Sequence, residues 1–473
     1  MQYNEIRIIA RRAHYPCACT LWIVVAKSGL LKEKHVSKKS ALIIGGGGRE
    51  HALGEAIAPS VKEIYFAPGN AGTAMIENAT NIDVEDPAAF AKEHKIGLTL
   101  IGPEQPLAAG LADQLRAEKL SVFGPDQEAA QLETDKAFAS MFMQRHSIPH
   151  PETKIVTSIS QLSDMDASKC GPGKVIKANG LAGGKGVVLP ETGKQGEATI
   201  RGMLGGQLLG GAGIEGVLIQ ERIKGPEVSA FIVTDGNKFL TLPFAQDHKR
   251  LKDNDEGPNT GGMGSYTPVP ETVLSPVQVE QIHEISERTV EGLKSEGIDY
   301  RGIIYIGLML DEEKDGDPTV IEYNVRLGDP EAQVILPVLT QAGVDVFDLL
   351  RSTDSKLDER LLPAGALLGQ SALTVCMATQ GYPEKPRKGD IILGLGREYD
   401  NASIHHGSTE VEEATVMTNG GRALYVTGTG SSVDEAAASA YRAIGPGRIS
   451  FSGMQYRKDI GRQARTRQSS NER

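Results

Sequence analysis

Lys177-Ala178-Asn179-Gly180-Leu181-Ala182-Gly183-Gly184-Lys185-Gly186-Val187 places two lysines at the two ends of a glycine-rich loop, with an apolar run on either side. A P-loop would need glycine six residues before the second lysine and Ser or Thr directly after it. Those positions hold Asn179 and Gly186, so the motif is excluded. The pattern suits a hairpin that closes over a triphosphate, with Lys177 fixed on its strand and Lys185 arriving with the loop. An exposed glycine turn with solvated lysines is the competing reading.

Short strand-like runs surround this loop at 175–177, 187–189, 217–220 and 229–233. They are followed by an amphipathic helix at 278–295, with Val279, Ile282, Ile285, Val290 and Leu293 apolar. Runs at 303–310 and 319–325 flank a polar stretch and predict an antiparallel pair. This gives an α+β unit over 136–340. Upstream, apolar runs at 41–44, 63–67, 98–101 and 121–123 alternate with helical patterns at 51–58 and 111–119. That spacing predicts a parallel, doubly wound α/β unit over 41–135. Downstream, runs at 372–377, 391–395 and 423–427 with a helix at 433–443 predict a strand-rich domain over 341–465, and 466–473 read as a frayed tail.

Two further constellations carry chemistry. Gly45-Gly46-Gly47-Gly48-Arg49-Glu50-His51 follows a strand and opens a helix, where backbone N–H groups and the helix dipole can cradle phosphate. A dinucleotide fingerprint fails, because the final glycine would fall on Glu50 or His51, and no acid ends the second strand. A phosphosugar site is favoured over NAD, with a packing-only glycine turn as the rival. In Glu322-Tyr323-Asn324-Val325-Arg326, strand alternation puts Glu322 and Asn324 on one face, their Cα atoms roughly 6.6 Å apart. A carboxylate and an amide oxygen suit Mg²⁺, which takes phosphate oxygens for its remaining positions. Arg326 continues that face and can meet an anion bidentately. Between these, 246–250 and 257–264 form a polar, glycine-punctuated stretch that cannot build core, so a substrate-facing role is expected. His248 alone is weak support for chemistry.

The chain has 473 residues, 55 of them glycine, and a formal net charge of -11. Residues 1–40 hold eight Lys/Arg and two Glu, +6, which leaves -17 for the remainder. Such a balance lacks the basic face of a nucleic-acid binder, and no nucleic-acid or membrane partner is expected. Four cysteines (Cys17, Cys19, Cys170, Cys376) give neither a disulfide framework nor paired CxxC spacing. A reducing, cytoplasmic setting follows. The basic segment 1–40 reads as an N-terminal extension, either an organellar targeting segment or the product of a misassigned start.

With these motifs assembled, the chain resembles the phosphoribosylamine–glycine ligase family of the ATP-grasp superfamily over about 42–460. The markers are GGGGREHAL (45–53), PGNAGT (68–73), GPEQPL (102–107), GLAGGKGV (180–187), QDHKR (246–250), GPNTGGMG (257–264), RLGDPEAQ (326–333) and ISFSGMQYRKDI (449–460). The resemblance implies a preATP-grasp domain, a two-part grasp that clamps ATP, and a C-terminal domain. It implies ATP-driven joining of glycine to 5-phosphoribosylamine through glycyl phosphate in purine biosynthesis, with Mg²⁺ or Mn²⁺, by a monomer. Residue by residue, it implies ATP contacts at Lys136, Lys177, Gly180, Gly183, Gly184, Lys185, the hinge residues Gln220, Glu221 and Ile223, and Glu227. Glu322 and Asn324 match the metal ligands. Arg326, Lys185 and Asp247 are the expected catalytic residues. Gly45, Gly46, Gly47, Gly48, Asn70, Gly72, Asn259, Thr260, Gly261 and Arg326 are the expected substrate contacts.

Two departures stand out: Gln220 and Pro226 replace the first member of each of the family's two glutamate pairs. They are the only support for a rival reading as a nucleotide-binding regulator without turnover. The other rival, a different ATP-grasp carboxylate–amine ligase, should lack RLGDPEAQ and GPNTGGMG.

Overall fold

The computed structural model describes residues 39–163, 166–181, 186–208, 214–363 and 365–464. The expectations for Gly183, Gly184 and Lys185, for 1–38 with Cys17 and Cys19, and for 466–473 lie outside the described residues.

Ala41, Leu42, Ile43 and Ile44 are buried on both faces of strand β1 (Ser40–Gly45). Only a central strand covered on both sides accommodates such a run. Around it lie β2 (Glu63–Pro68), β3 (Ala79–Asn81), β4 (Leu98–Ile101) and β5 (Val122–Phe123) in the order β3-β2-β1-β4-β5, every pair parallel. The doubly wound expectation describes this sheet. The helix after β1 runs Gly48–Ile57, beginning three residues before the predicted 51. Glu50 explains the early start: its Oε2 accepts the Gly47 N–H at 2.6 Å and so caps the first turn.

A second sheet holds β6 (Thr153–Val156), β7 (Lys174–Ala178), β8 (Val187–Val188) and β9 (Val217–Glu221) in the order β6-β9-β7-β8. The chain continues through β10 (Glu227–Thr234) and β11 (Phe239–Thr241). It leaves this unit for β12 (Gln246–Asp247), β13 (Arg250–Lys252), β14 (Glu256–Asn259) and β15 (Gly264–Thr267), then returns as β16 (Gly302–Asp311) and β17 (Asp317–Asn324). The third sheet, β11-β10-β16-β17, includes the predicted antiparallel pair. The helix Pro276–Ser295, capped by Ser275 and Gln278, buries Ile282, Ile285, Val290 and Leu293, whereas Val279 is exposed.

The C-terminal sheet adds β18 (Ser371–Ala378), β19 (Ala402–His406) and β22 (Arg422–Gly430), and between the last two a separate hairpin pairs β20 (Thr409–Glu412) with β21 (Thr415–Thr418). The sheet order is β12-β15-β18-β22-β19, so strands from 246–267 pair into a sheet completed a hundred residues later. The predicted strand at 391–395 is not formed. Ile391 and Leu393 make only isolated bridges, to Met417 and Ser450, and both side chains face solvent. Of that run Ile392 is buried in the C-terminal core and Leu395 packs against it, so the segment is an irregular connection anchored at those two side chains. The helix Val433–Ala443 has the predicted bounds. Among the described residues no single helix is long and apolar enough to cross a membrane.

Candidate active site

Lys177 sits on β7, 7% exposed, and its Nζ donates to the Ile321 carbonyl of β17 at 2.8 Å. This bond links the sheet β6-β9-β7-β8 to the sheet β11-β10-β16-β17. Lys136 opens the helix Lys136–Arg145, capped by Asp135, and its Nζ donates to the Gly180 carbonyl at 2.8 Å. The loop that begins at Gly180, with φ +91°, is thus held at its root by a cation. Burial pulls both lysines below the ordinary ammonium range, while Glu322 works against that shift.

Glu322 is the common counter-charge. Burial alone would raise its pKa, but Lys249, Lys177, Lys136 and Arg326 hold it below the usual carboxylate range. A register slip between Gly307 and Leu308 shapes this part of β17, as bulges beside functional sites do. A Cβ on Gly307 would lie 2.9 Å from Glu322 Cγ, so glycine there leaves the acid its room. Asn324 follows on the strand. Its Oδ1 accepts from Arg326 Nη2 at 2.9 Å, and its buried Nδ2 has no partner.

This donor set fits a hard divalent cation. Glu322 is an ionised oxygen donor with no hydrogen bond from a described residue, and the Asn324 carbonyl keeps a second lone pair. Among the described residues no cluster of three His, Cys, Asp or Glu forms a protein-only cage. A cation here would have to complete its shell from the substrate's phosphates and water.

Arg326 lies past the strand end, and ion pairs from two directions fix it. Its Nη2 is 2.7 Å from Glu133 Oε1 and its Nε 3.2 Å from Glu104 Oε2. Against the lowering effect of burial, Glu133 and Glu104 keep the guanidinium firmly protonated. Glu133 also accepts the Val325 N–H at 2.8 Å, and burial lifts its own pKa. On the other side, Lys249 Nζ is 2.9 Å from Asp247 Oδ2 and 3.3 Å from Glu227 Oε1. Burial, with Asp247 and Glu322 adding and Lys249 opposing, pushes Glu227 up to about 7. Glu331 is likewise pushed up to about 7 by burial and by Asp247, while Tyr305 donates to its Oε1 at 2.9 Å.

The hinge follows β9. Gln220 is 4% exposed, and its Nε2 donates to Thr153 Oγ1 at 3.0 Å. Glu221 pairs with Lys174, and Ile223 is half-buried. Gly225 has φ +147°, and a Cβ there would lie 1.8 Å from the Leu310 carbonyl, so the hinge admits only glycine. The structure sets Glu227 against Lys249 and Asp247, on the Glu322 side of the hinge.

The glycine cluster meets the rest of the site through Arg49, whose Nη1 donates to the Leu327 carbonyl at 3.0 Å. A Cβ on Gly46 would lie 2.3 Å from the Gly69 carbonyl, and one on Gly48 would lie 2.3 Å from Tyr425. Gly45 has φ +121°, and a Cβ on Gly47 would point toward Asp329 Oδ2 at 3.6 Å. Asn70 staples loops: its Nδ2 donates to the Gly46 and His406 carbonyls, and its Oδ1 accepts from the Gly72 and Thr73 N–H groups. Gly72 packs between His51 and His406. The side chain of Asn70 is thus spent on backbone, and at Gly72 the histidines occupy the space a side chain would need. Asn259 is exposed at the end of β14, while the Thr260 hydroxyl donates to the Lys249 carbonyl at 2.9 Å.

The structure brings Lys136, Lys177, Glu227, Asp247, Glu322, Asn324 and Arg326 into one charged cluster, and sets Gly47 and, through Arg422, Gly261 beside Asp329. Sequence reasoning missed Glu104, Glu133, Lys249, Glu331 and Arg422 as members. Glu104, Lys249 and Glu331 lie within quoted motifs, whereas nothing local marks Glu133 or Arg422, whose partners are distant in sequence.

This fold and cluster define an ATP-grasp enzyme. The structure is similar to biotin carboxylase of Campylobacter jejuni at a TM-score of 0.64, with 16% identity over 90% of this chain and 94% of that one, a likeness of fold alone. Domain models of phosphoribosylglycinamide synthetase match as the N domain over 39–133, the ATP-grasp (A) domain over 134–332 and the C domain over 372–463. The chain belongs to the phosphoribosylglycinamide synthetase family. It is 42% identical to phosphoribosylamine–glycine ligase of Ralstonia nicotianae over 429 residues, covering 89% of this chain and 99% of that one. It is 44% identical to the Neisseria meningitidis serogroup B enzyme of that name over 431 residues, at the same coverage. The crystal structure of the Thermotoga maritima ligase matches with a TM-score of 0.76 and 35% identity, over 89% of this chain and 100% of that one.

Proposed function

We propose that this chain joins glycine to 5-phosphoribosylamine at the expense of ATP, giving glycinamide ribonucleotide, ADP and phosphate. The observation that carries the reading is the convergence of Lys136, Lys177, Lys249 and Arg326 on the Glu322 carboxylate. Like unit charges about 4 Å apart repel by roughly 4 kcal/mol at an effective dielectric of about 20. An amino-acid carboxylate therefore meets a triphosphate only where cations stand between them.

In this reading the glycine carboxylate attacks the γ-phosphorus, ADP leaves, and the amine of phosphoribosylamine displaces phosphate from glycyl phosphate. Lys136 and Lys177 neutralise the phosphates, and the root of the 180–186 loop stays on Lys136 while the loop excludes water. Arg326 orients the glycine carboxylate. Asp247, held by Lys249, fixes the lysine that faces the reacting groups. The 45–48 glycines and the segment 259–261 face the phosphosugar. Glu322 and Asn324 would hold Mg²⁺ or Mn²⁺, which supplies charge neutralisation at the phosphates when bound. The enzyme works as a cytoplasmic monomer.

An ADP-release assay tests this. Release should require both glycine and phosphoribosylamine. Release with other substrates would favour a different ATP-grasp ligase, and no release at all would favour a regulator.

A further inference from the structure

Gly261 is exposed, yet side chains of the C-terminal domain grip its peptide from both sides. Its N–H donates to the Tyr382 hydroxyl at 3.0 Å, and its carbonyl accepts from Arg422 Nη1 at 2.6 Å. The same Nη1 donates to the Asp329 carbonyl, also at 2.6 Å, and Nη2 lies 3.6 Å from Asp329 Oδ2. One guanidinium thus bridges the loop 257–262 and the turn after Arg326.

The glycine pair is shaped for this grip. A Cβ on Gly261 would lie 3.1 Å from Arg422 Cζ, and one on Gly262, with φ +112°, would lie 2.5 Å from Pro330 Cδ. The first glycine lets the guanidinium lie against the peptide, and the second lets the loop lie against Pro330. Arg422 itself rests over the Tyr425 ring, 5.7 Å from its centroid, and against burial Asp329, with Tyr425 and Tyr382 adding, keeps it charged. Tyr425 also packs against Gly48 of the first domain. Pieces of all three domains meet around this one arginine, and Asn259 and Thr260 hang from the segment it holds.

We propose that Arg422 and Tyr382 are positioning residues of the ligase reaction, fixing the loop 257–262 in the place from which it receives the phosphosugar amine. This rests on the ligase reading above. Neither residue need touch substrate: their action runs through the Gly261 peptide.

The test compares wild type with Tyr382→Phe, Arg422→Lys and Arg422→Met, by amide hydrogen exchange without ligands and by steady-state kinetics. Tyr382→Phe changes no charge and keeps the ring, so it is the variant that isolates loop position from folding and electrostatics. In it, exchange should rise across 257–262, and the KM for phosphoribosylamine should rise roughly 2- to 10-fold, the range for losing one neutral hydrogen bond. Arg422→Met should raise that KM roughly 10- to 150-fold, the range for a charged donor, and Arg422→Lys should recover part of the loss. The KM for ATP should stay within about 2-fold throughout, since losing a distant loop contact should not reach the nucleotide lysines.

Faster exchange with an unchanged phosphoribosylamine KM overturns the proposal. So does an Arg422→Lys defect beside a normal Tyr382→Phe enzyme, which would put the guanidinium on the substrate itself. A wild-type enzyme that needs neither glycine nor phosphoribosylamine would sink the ligase reading instead, and the exchange data would still report whether the grip exists.

Discussion

Replacing Arg326 with alanine should leave two carboxylates facing each other across an empty guanidinium site. Glu133 is the costlier of the two. It is nearer to Arg326, at 2.7 against 3.2 Å, and its side chain is 8% exposed against 21% for Glu104. Removing one partner of a buried pair costs about 3–5 kcal/mol, because the other charge stays uncompensated. Glu133 can escape by taking up a proton, and burial already lifts its pKa. The sign follows from linkage. A carboxyl whose folded pKa is raised contributes stability below its unfolded pKa, and that contribution is lost as pH rises through the folded value. Relative to wild type, Arg326→Ala should therefore be least destabilised near pH 5 and most near pH 8. Urea unfolding at the two pH values measures this directly, and adding Glu133→Gln should restore most of the loss at pH 8. Equal losses at both pH values, with no rescue by the second substitution, would refute the assignment of Glu133 as the stranded charge. The rescued double variant also separates structure from function: if Arg326 meets the glycine carboxylate, the glycine KM stays raised by roughly 10- to 150-fold.

Glu322→Gln removes the shared counter-charge of Lys136, Lys177 and Lys249, and should weaken the Mg²⁺-dependent part of ADP affinity tenfold or more, about 1.4 kcal/mol; calorimetric titration with and without Mg²⁺ reads it, and superimposable curves would rule out the metal role. Gly225→Ala forces a Cβ to 1.8 Å from the Leu310 carbonyl at φ +147°, so the hinge must move, and a stability loss of about 2 kcal/mol or more is expected; an unchanged urea midpoint would contradict it. Glu227 and Glu331 are both pushed up to about 7, so the unliganded protein should lose thermal stability as pH rises from about 5 to 8; Glu331→Gln should flatten that slope, and a slope identical to wild type would show that Glu331 does not titrate there.

What the sequence made legible was whatever is written within a dozen residues. The apolar runs at 41–44 and 98–101 became central parallel strands, and the period of the 278–295 pattern became a helix starting two residues earlier, at Pro276, behind its Ser275 cap. Glu322 and Asn324 could be paired because strand alternation is a local rule. Arg326 extends that face only in part. It leaves the strand, and Glu133 and Glu104, each about two hundred positions away, decide where it points. The run 391–395 misled for the opposite reason. Its apolar residues satisfied a strand pattern, but no neighbouring strand is placed to pair with it beyond two single bridges. The path of 246–267 into the C-terminal sheet was illegible on the same ground, since strand pairing across a hundred residues leaves no periodic mark.

The charged cluster also bears on how substrates enter. Every cation in it already has an anionic or carbonyl partner: Lys136 on Gly180, Lys177 on Ile321, Lys249 on Asp247 and Glu227, Arg326 on Glu133 and Glu104. Unpaired, four such charges would repel one another and pull their own pKa values down, as burial already does to Lys136 and Lys177. Paired, they wait in place with part of their desolvation penalty offset by their partners. The partners of Lys136 and Lys177 are neutral carbonyls, which a phosphate oxygen outcompetes, whereas those of Lys249 and Arg326 are carboxylates, which it does not readily displace. Under the proposed reaction, the two lysines would be the groups that turn toward the nucleotide, and Lys249 and Arg326 would form the fixed frame against which the acyl acceptor and donor are aligned. That division fits the geometry: Lys136 and Lys177 sit at the root of the glycine loop and on its strand, while Lys249 and Arg326 are pinned by acids.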